Sequence, residues 1–597
     1  MCRIAGMVDG KLAVSNIENI VAEMCLLQKH GGPDDGGLYT SESDHLVLGN
    51  RRLALIDLSS EGHMPMKYQD RYFITYNGEL YNFLTLKEEL IKLGHEFKNH
   101  SDTEVILAAF SQWNFQSFAR LKGMFAFALW DNHEKELFLV RDTAGIKPLY
   151  YSYNNGKLIF ASETRAFAPV KETQENNRDW PVYLMAYGYI PEPVTTLTSV
   201  KPLHKGCFLK YESSTKNISL QSFAHYSYSH KFSNEEEAKI QTAKLLDDSV
   251  KRHLLADAPV GVFLSGGLDS GIIATLAARH KKTDLNTLSI YFEETAYSEK
   301  KFQDILINQI KCNNYQYLLK ENEFHESLPG ILNSMDMPSC DGINTWFICK
   351  YAASRGLKAV LSGLGGDELY GGYPSFNRIK AAILLQQLPD MLTSMGKRSG
   401  FKRLNRMSYL RMDGIKGIYL FLRGHYSPFE IARQLDASEK EIWKILNEQP
   451  VLTELNKLDE KNQASWMEFN LYMQNQLLRD SDVMSMIHGV EIRVPFLDDD
   501  VIRYANKVEP SIKYTGPRTK QFLINTFYDN LPEEIWNRPK MGFSFPFAKW
   551  LSSSLFVKEL MENSNKNSQV NYRKFMEGKL HWSHMMSLII LNYRKAI

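Results

Sequence analysis

Cysteine is scarce in this 597-residue chain: the six present stand singly at 2, 25, 207, 312, 340 and 349. None has the paired spacing of a zinc site or of a disulfide framework. A reducing cytoplasm suits them. Long hydrophobic runs are missing too, and no stretch approaches the roughly 20 apolar residues that a membrane-spanning helix needs. The first residues lack the basic-then-apolar order of a secretory signal. Excess charge of either sign is absent, 70 Lys and Arg facing 69 Asp and Glu for a formal net charge of +1. That balance offers no footprint for nucleic acid or another polyanion. There is no internal repeat and no low-complexity tract. What remains is an ordinary globular composition, too long for one core, so about two to four domains are expected.

One stretch organises the rest: Val260-Gly261-Val262-Phe263-Leu264-Ser265-Gly266-Gly267-Leu268-Asp269-Ser270. Apolar residues fit for a buried parallel strand run into a Ser-Gly-Gly turn. A helical pattern follows, with Ile272, Ile273, Leu276 and Ala277 on one face. Strand, glycine turn and helix start make an anion site, because free backbone N–H groups converge where the helix dipole favours negative charge. Asp269 adds a carboxylate where magnesium would bridge to a phosphate. The Lys of a Walker motif is absent. The turn resembles the pyrophosphate-binding loop of ATP pyrophosphatases, with Leu264, Ser265, Gly266, Gly267, Asp269 and Ser270 as its predicted binding residues.

The chain opens Met1-Cys2-Arg3-Ile4-Ala5-Gly6. Removal of Met1 would leave Cys2 with a free α-amino group of pKa roughly 7.7–8.0 beside a thiol of roughly 8.5, so one residue would carry nucleophile and matched base. Strands are predicted over Leu46–Asp57, Tyr72–Tyr76, Met124–Trp130, Glu136–Val140, Leu149–Tyr153 and Leu158–Ala161. Asn77-Gly78-Glu79 closes the second of these. Ser101-Asp102-Thr103-Glu104 predicts a helix opened by a reciprocal capping box. This half reads as two packed sheets.

Cys2 with Ile4-Ala5-Gly6, His30-Gly31-Gly32-Pro33-Asp34, Arg52-Leu53, Asn77-Gly78-Glu79, Ser101-Asp102 and Phe125–Ala128 resembles a glutamine amidotransferase of the N-terminal-nucleophile class. Arg141-Asp142, Pro148-Leu149-Tyr150 and Ala161-Ser162-Glu163 extend the likeness. The resemblance implies that Cys2 attacks the glutamine amide and that Asn77 and the Gly78 N–H hold the oxyanion. It implies that Arg52 clamps the substrate α-carboxylate while Glu79 and Asp102 take the α-ammonium. One departure is plain: Gly31 stands where the family usually has Arg, so whatever that arginine stabilises must be supplied differently. Thr143-Ala144 likewise replaces a commoner basic–apolar pair.

Prolines at 169, 181, 191, 193 and 202 mark the way to a boundary near 225–232, giving predicted domains 2–228 and 229–597. A helix with a capping box from Ser233 to Glu236 leads into the glycine turn. Strands follow at Leu288–Phe292 and Lys358–Leu361, the latter running into Ser362-Gly363-Leu364-Gly365-Gly366-Asp367-Glu368. Strands alternating with helices predict a parallel α/β sheet whose ligands sit at the carboxyl ends of the strands. Asp269 and Asp367 are thereby expected to share magnesium, next to the phosphates bound by Ser362 and Gly363. The remainder reads as mostly helical.

Leu477–Asp480, Glu491-Ile492-Arg493-Val494-Pro495-Phe496-Leu497-Asp498 and Arg538–Phe543 join both glycine turns in resembling the synthetase half of asparagine synthetase B. Lys520 resembles the family lysine that stabilises phosphate charge. The resemblance implies an N-terminal-nucleophile sandwich of two antiparallel sheets with helices, then a parallel ATP-pyrophosphatase sheet with a helical extension. It implies a cytoplasmic ligase using glutamine, ATP and Mg2+ to adenylate a small carboxylate and amidate it through a shielded ammonia tunnel, with no nucleic-acid or membrane partner, and it admits a homodimer. Aspartate is the expected acceptor; a uronic-acid sugar is the alternative, because Leu364 replaces a residue that is typically acidic in asparagine synthetases.

Overall fold

A computed structural model describes residues 2–229, 231–281, 284–389, 405–448 and 455–596. Among the described residues the first half contains twelve strands: β1 (Cys2–Val8), β2 (Asp35–Ser41), β3 (Leu46–Arg52), β4 (Met66–Tyr68), β5 (Tyr72–Leu80), β6 (Gly123–Asp131), β7 (Glu136–Arg141), β8 (Tyr150–Asn154), β9 (Lys157–Ala161), β10 (Lys201–Pro202), β11 (Cys207–Glu212) and β12 (Ile218–Ser222). They form two six-stranded antiparallel sheets, ordered β10-β8-β9-β1-β3-β2 and β12-β11-β7-β6-β5-β4.

Alternation along each strand decides what each face covers. Ile4 and Val8 of β1 meet Ala126, Ala128 and Trp130 of β6 between the sheets. Ala5 and Met7 face outwards onto Ile17, Val21 and Met24 of the helix Val14–Leu27. Phe125, Phe127 and Leu129 pack on the other side against the helices Phe83–Lys92 and Asp102–Trp113. The outcome is helix, sheet, sheet, helix, as the antiparallel sandwich expected from the sequence.

Several boundaries move. β3 stops at Arg52 rather than Asp57, because the chain turns to wrap the Arg52 side chain. β5 does not close at Asn77 but runs to Leu80, with Asn77 opposite Ala126 and Gly78 opposite Phe125. Gly78 permits this: a Cβ there would stand 2.3 Å from the Met124 carbonyl oxygen. Ser101 does cap its helix, accepting from the Thr103 N–H at 3.1 Å. Glu104, however, accepts from Lys98 and Asn99 N–H groups, so the reciprocal box is not made. The helix expected from Ser233 begins one residue later: Asn234 is its cap, accepting from Glu237.

The second half is built on five parallel strands: β13 (Val260–Phe263), β14 (Asn286–Tyr291), β15 (Asn313–Leu318), β16 (Ala359–Leu361) and β17 (Glu491–Arg493), in the order β15-β14-β13-β16-β17. The order reverses between β13 and β16, which opens a crevice beyond their carboxyl ends. Both glycine turns leave the sheet there. β15, the polar edge strand Asn-Asn-Tyr-Gln-Tyr-Leu, and the three-residue β17 carry too little apolar pattern to be read from sequence. Among the described residues most of the rest is helical, including the π-helix Glu468–Leu478, which runs on into the α-helix Arg479–Met486. Among the described residues no helix is long and apolar enough to cross a membrane.

Candidate active sites

The first site is set by strand register. Cys2 pairs with Arg52 across β1 and β3. The Cys2 backbone nitrogen donates to Asn77 Oδ1 at 3.1 Å, across the sandwich. With Oδ1 used, the Asn77 amide Nδ2 is buried and has no partner. A buried, unpaired donor beside a thiol is an arrangement suited to a developing oxyanion. Burial pushes the Cys2 thiol up, while the Leu53 backbone and the Arg52 charge act the other way. The Arg52 guanidinium donates to the Ser59 and Ile56 carbonyls at 3.2 and 3.3 Å and to that of Asp57. Part of its fork is therefore spent on ordering the loop beside the thiol. Asp102 accepts from the Tyr76 hydroxyl at 3.0 Å and the Leu80 N–H at 2.8 Å. Glu79 is buried, and burial pushes its carboxyl up to about 8 against the pull of Arg493.

The second site is a cavity of about 820 Å³ at the crevice of the parallel sheet. Gly266 takes a left-handed φ of 86°, and the helix Leu268–Lys281 starts two residues later. Ser265 Oγ lies 2.9 Å from Ser270 Oγ and accepts from the Gly267 N–H at 3.3 Å, so the turn is braced across its mouth. The second turn packs directly onto the first. A Cβ on Gly363 would stand 2.9 Å from that of Asp269, and one on Gly366 within 2.6 Å of the Asp269 carboxyl carbon. Lys520 Nζ lies 2.6 Å from Asp269 and 2.5 Å from Asp367, and Lys540 Nζ lies 2.6 Å from Asp367. Every residue predicted for this site comes together here except Gly266, which forms the turn without lining the cavity. Leu364 lines the cavity as well, packed among apolar neighbours.

Between the sites lies a belt of buried charge that sequence reasoning did not assemble. Arg493 pairs with Glu491 at 2.6 Å and reaches Glu79 at 3.3 Å. Arg3 pairs with Glu163 at 2.6 Å and with Asp482 at 2.9 Å, and Lys147 stands 3.7 Å from Asp482. Glu192 accepts from Gln474 of the π-helix at 2.7 Å and pairs with Arg141 at 2.9 Å. The signal was an arginine inside an otherwise apolar strand: Arg3 has a charge that a buried strand must pair.

The Asparagine synthase family profile matches residues 241–587, and the Glutamine amidotransferase domain profile matches residues 1–224. The chain belongs to the asparagine synthase family. It is 29% identical to asparagine synthetase [glutamine-hydrolyzing] 1 of Bacillus subtilis, covering 93% of this chain and 88% of that protein. It is 31% identical to a putative asparagine synthetase [glutamine-hydrolyzing] of Mycobacterium tuberculosis, covering 91% and 86%. Amidase chry2 of Gibberella zeae matches at 26%, covering 93% and 89%. As a member of this family the protein is a glutamine-dependent carbon–nitrogen ligase that uses ATP and a carboxylate acceptor. The departure at Gly31 now has a structural counterpart, because the Arg3 side chain fills the space that a side chain at 31 would need.

Proposed function

We propose that the protein makes asparagine: it adenylates aspartate with ATP and amidates the adenylate with ammonia released from glutamine at Cys2. The observation that carries the two-site reading is the pair of centres themselves, an Asn77-anchored cysteine and a crevice where both glycine turns meet. In this reading residues 2–228 form the glutaminase and 229–597 the synthetase. Cys2, freed of Met1, attacks the glutamine carboxamide. The unpaired Asn77 Nδ2 and the Gly78 N–H receive the oxyanion. Arg52 holds the substrate α-carboxylate with the donors its loop leaves free, and Glu79 with Asp102 takes the α-ammonium.

Ammonia is mostly protonated in neutral water and then has no lone pair to attack with. The buried, ion-paired side chains that join the two halves support direct transfer. In the crevice, Ser265, Gly267, Ser270, Ser362 and Gly363 cradle the phosphates, and Lys520 offsets their charge.

Mg2+ fits the residues present. Asp269 Oδ1 is buried and has no hydrogen-bond partner, and Asp269 and Asp367 converge on one cation. No group of three or more His, Cys, Asp or Glu forms a ready-made cage among the described residues. Two carboxylates plus phosphate oxygens are what magnesium takes in nucleotide sites. Bound there, it would neutralise pyrophosphate as it leaves.

The names of the Bacillus and Mycobacterium relatives support aspartate as acceptor. Leu364 favours a second reading, in which a uronic-acid sugar is amidated, because an aliphatic chain neither takes a proton nor holds a cation. Pyrophosphate release with glutamine, ATP and a panel of carboxylates decides between them.

A further inference from the structure

Arg3 follows Cys2 directly and is fully buried. Its Nε lies 2.6 Å from Glu163, which comes two residues after β9, and its Nη1 lies 2.9 Å from Asp482. Asp482 belongs to the helix Arg479–Met486, whose Asp480 and Ser481 line the ATP cavity. A single guanidinium thus joins the residue beside the nucleophile to the wall of the other site. Glu163 is held in turn by His30 at 2.9 Å and Arg165 at 2.8 Å.

Room for this arginine is made at position 31. A Cβ on Gly31 would stand 2.8 Å from both Cγ and Nε of Arg3. The backbone does not demand glycine there, since Gly31 is outside the left-handed region. Its neighbour differs: a Cβ on Gly32 would stand 2.2 Å from the Arg51 carbonyl oxygen. Gly32 is glycine for the backbone it touches, and Gly31 for the side chain it admits.

We propose that Arg3 is a positioning residue that locks the Cys2 strand to the wall of the ATP cavity, and that Arg3 and position 31 are one exchangeable unit. The functional part rests on the reading that ammonia released at Cys2 is consumed in that cavity. The planar fork of arginine serves two carboxylates at once, which a lysine ammonium on a flexible stem does not match. Removing it leaves Glu163 and Asp482 buried with less compensation, so the interface opens rather than the individual sites. Ammonia then escapes to water, and less amide forms per glutamine consumed.

The test uses the full chain in five forms: wild type, Arg3→Lys, Arg3→Gly, Asp482→Asn, and Arg3→Gly combined with Gly31→Arg. Hydrogen exchange is read at β1 and at the helix 479–486. Amide product per glutamine hydrolysed is read with aspartate and ATP, beside ammonium-dependent synthesis and glutaminase alone. Arg3→Gly and Asp482→Asn are expected to speed exchange in both elements by roughly tenfold or more. They are expected to lower product per glutamine by about fivefold or more, with each half-reaction within about twofold of wild type. Arg3→Lys falls between, and the double variant regains most of the loss. Exchange that loosens only in β1, or a double variant no better than Arg3→Gly, overturns the proposal. So does loss of both half-reactions in all of the single variants, which would make Arg3 a general structural residue. If wild type makes no amide from aspartate and ammonium, the acceptor reading fails, and the exchange measurement still decides the lock.

Discussion

The Cys2 backbone nitrogen and Asn77 Oδ1 are joined at 3.1 Å, and this bond leaves the Asn77 Nδ2 pointing no partner's way in a buried site. In the proposed reading the same amide has one end for holding the nucleophile and one for a developing charge. Asn77→Asp separates the two, because a carboxylate still accepts from Cys2 but has no N–H to give. Glutaminase turnover is expected to fall by about 10²–10³, the range for losing one oxyanion donor. Ammonium-dependent synthesis should hold. An equal fall in both activities, with the protein folded, would remove Asn77 from the oxyanion role.

Cys2→Ala separates the sites more completely. Glutamine-dependent amidation is expected to vanish while ammonium-dependent synthesis stays within about twofold, since uncoupled sites behave additively. A form that retains Met1 should match Cys2→Ala if, as proposed, the free amine is the base. Full glutamine-dependent activity in the Met1-retaining form would move the base elsewhere.

Lys520 holds Asp269 and Asp367 together at 2.6 and 2.5 Å, from a left-handed backbone position with φ of 56°. In the absence of nucleotide, Lys520→Met leaves two half-buried carboxylates facing one another with Lys540 alone, and a loss of stability smaller than the roughly 3–5 kcal/mol of a fully buried broken pair is expected. Added Mg2+ should return part of that stability in thermal unfolding, and should return none in Asp269→Asn combined with Lys520→Met. Identical melting with and without Mg2+ would take the metal away from these carboxylates.

What was legible in the sequence followed from local signals. Val260–Ser270 has strand, turn and helix in immediate succession, and the structure has β13 and the helix Leu268–Lys281 in those places. Ser362–Glu368 repeats the signal, so the shared rim was readable too. The belt between the sites was not. Arg493 lies 414 positions from Glu79 and Arg3 lies 479 from Asp482, and no periodicity marks such pairs. Capping illustrates the opposite limit: Ser101 was well placed, yet Glu104 found closer N–H donors at Lys98 and Asn99. A local motif competes with whatever the fold brings near.

Glu79 gives the pH prediction. Burial raises its carboxyl from 4.5 to about 8, with Arg493 opposing and Glu491 reinforcing the rise. Its folded value lies above its unfolded one, so between those values the folded chain holds a proton that the unfolded chain lacks. This group therefore lowers stability as pH rises through that window. In the proposed reading binding has the opposite sign, because only an ionised Glu79 would attract the glutamine ammonium. The KM for glutamine is expected to fall as pH climbs towards 8, and Glu79→Gln should flatten that fall, raising KM most near pH 8 and least at low pH, where the wild-type group is already neutral. An unchanged pH profile in Glu79→Gln would assign the titration to another group.

The acceptor is where one residue weighs against the whole match. Leu364 sits in the second glycine turn, on the cavity wall, where an acidic residue would have been expected from the family resemblance. The turn around it is otherwise sound: Gly363 and Gly366 press against Asp269, and Asp367 meets Lys520 and Lys540. In the proposed reading the residues for adenylation are therefore in place, and what Leu364 would not supply is help to the attacking ammonia. Aspartate would carry its own α-carboxylate into the cavity, so the substrate itself would offer a group to take that proton. On this argument wild type is expected to amidate aspartate with kcat/KM on the order of 10⁴ M⁻¹s⁻¹ or more. Leu364→Glu should then change this value by less than about tenfold, the effect of 1.4 kcal/mol in the barrier. A uronic-acid sugar preferred over aspartate by more than that factor would overturn asparagine synthesis and leave the amidotransferase chemistry standing.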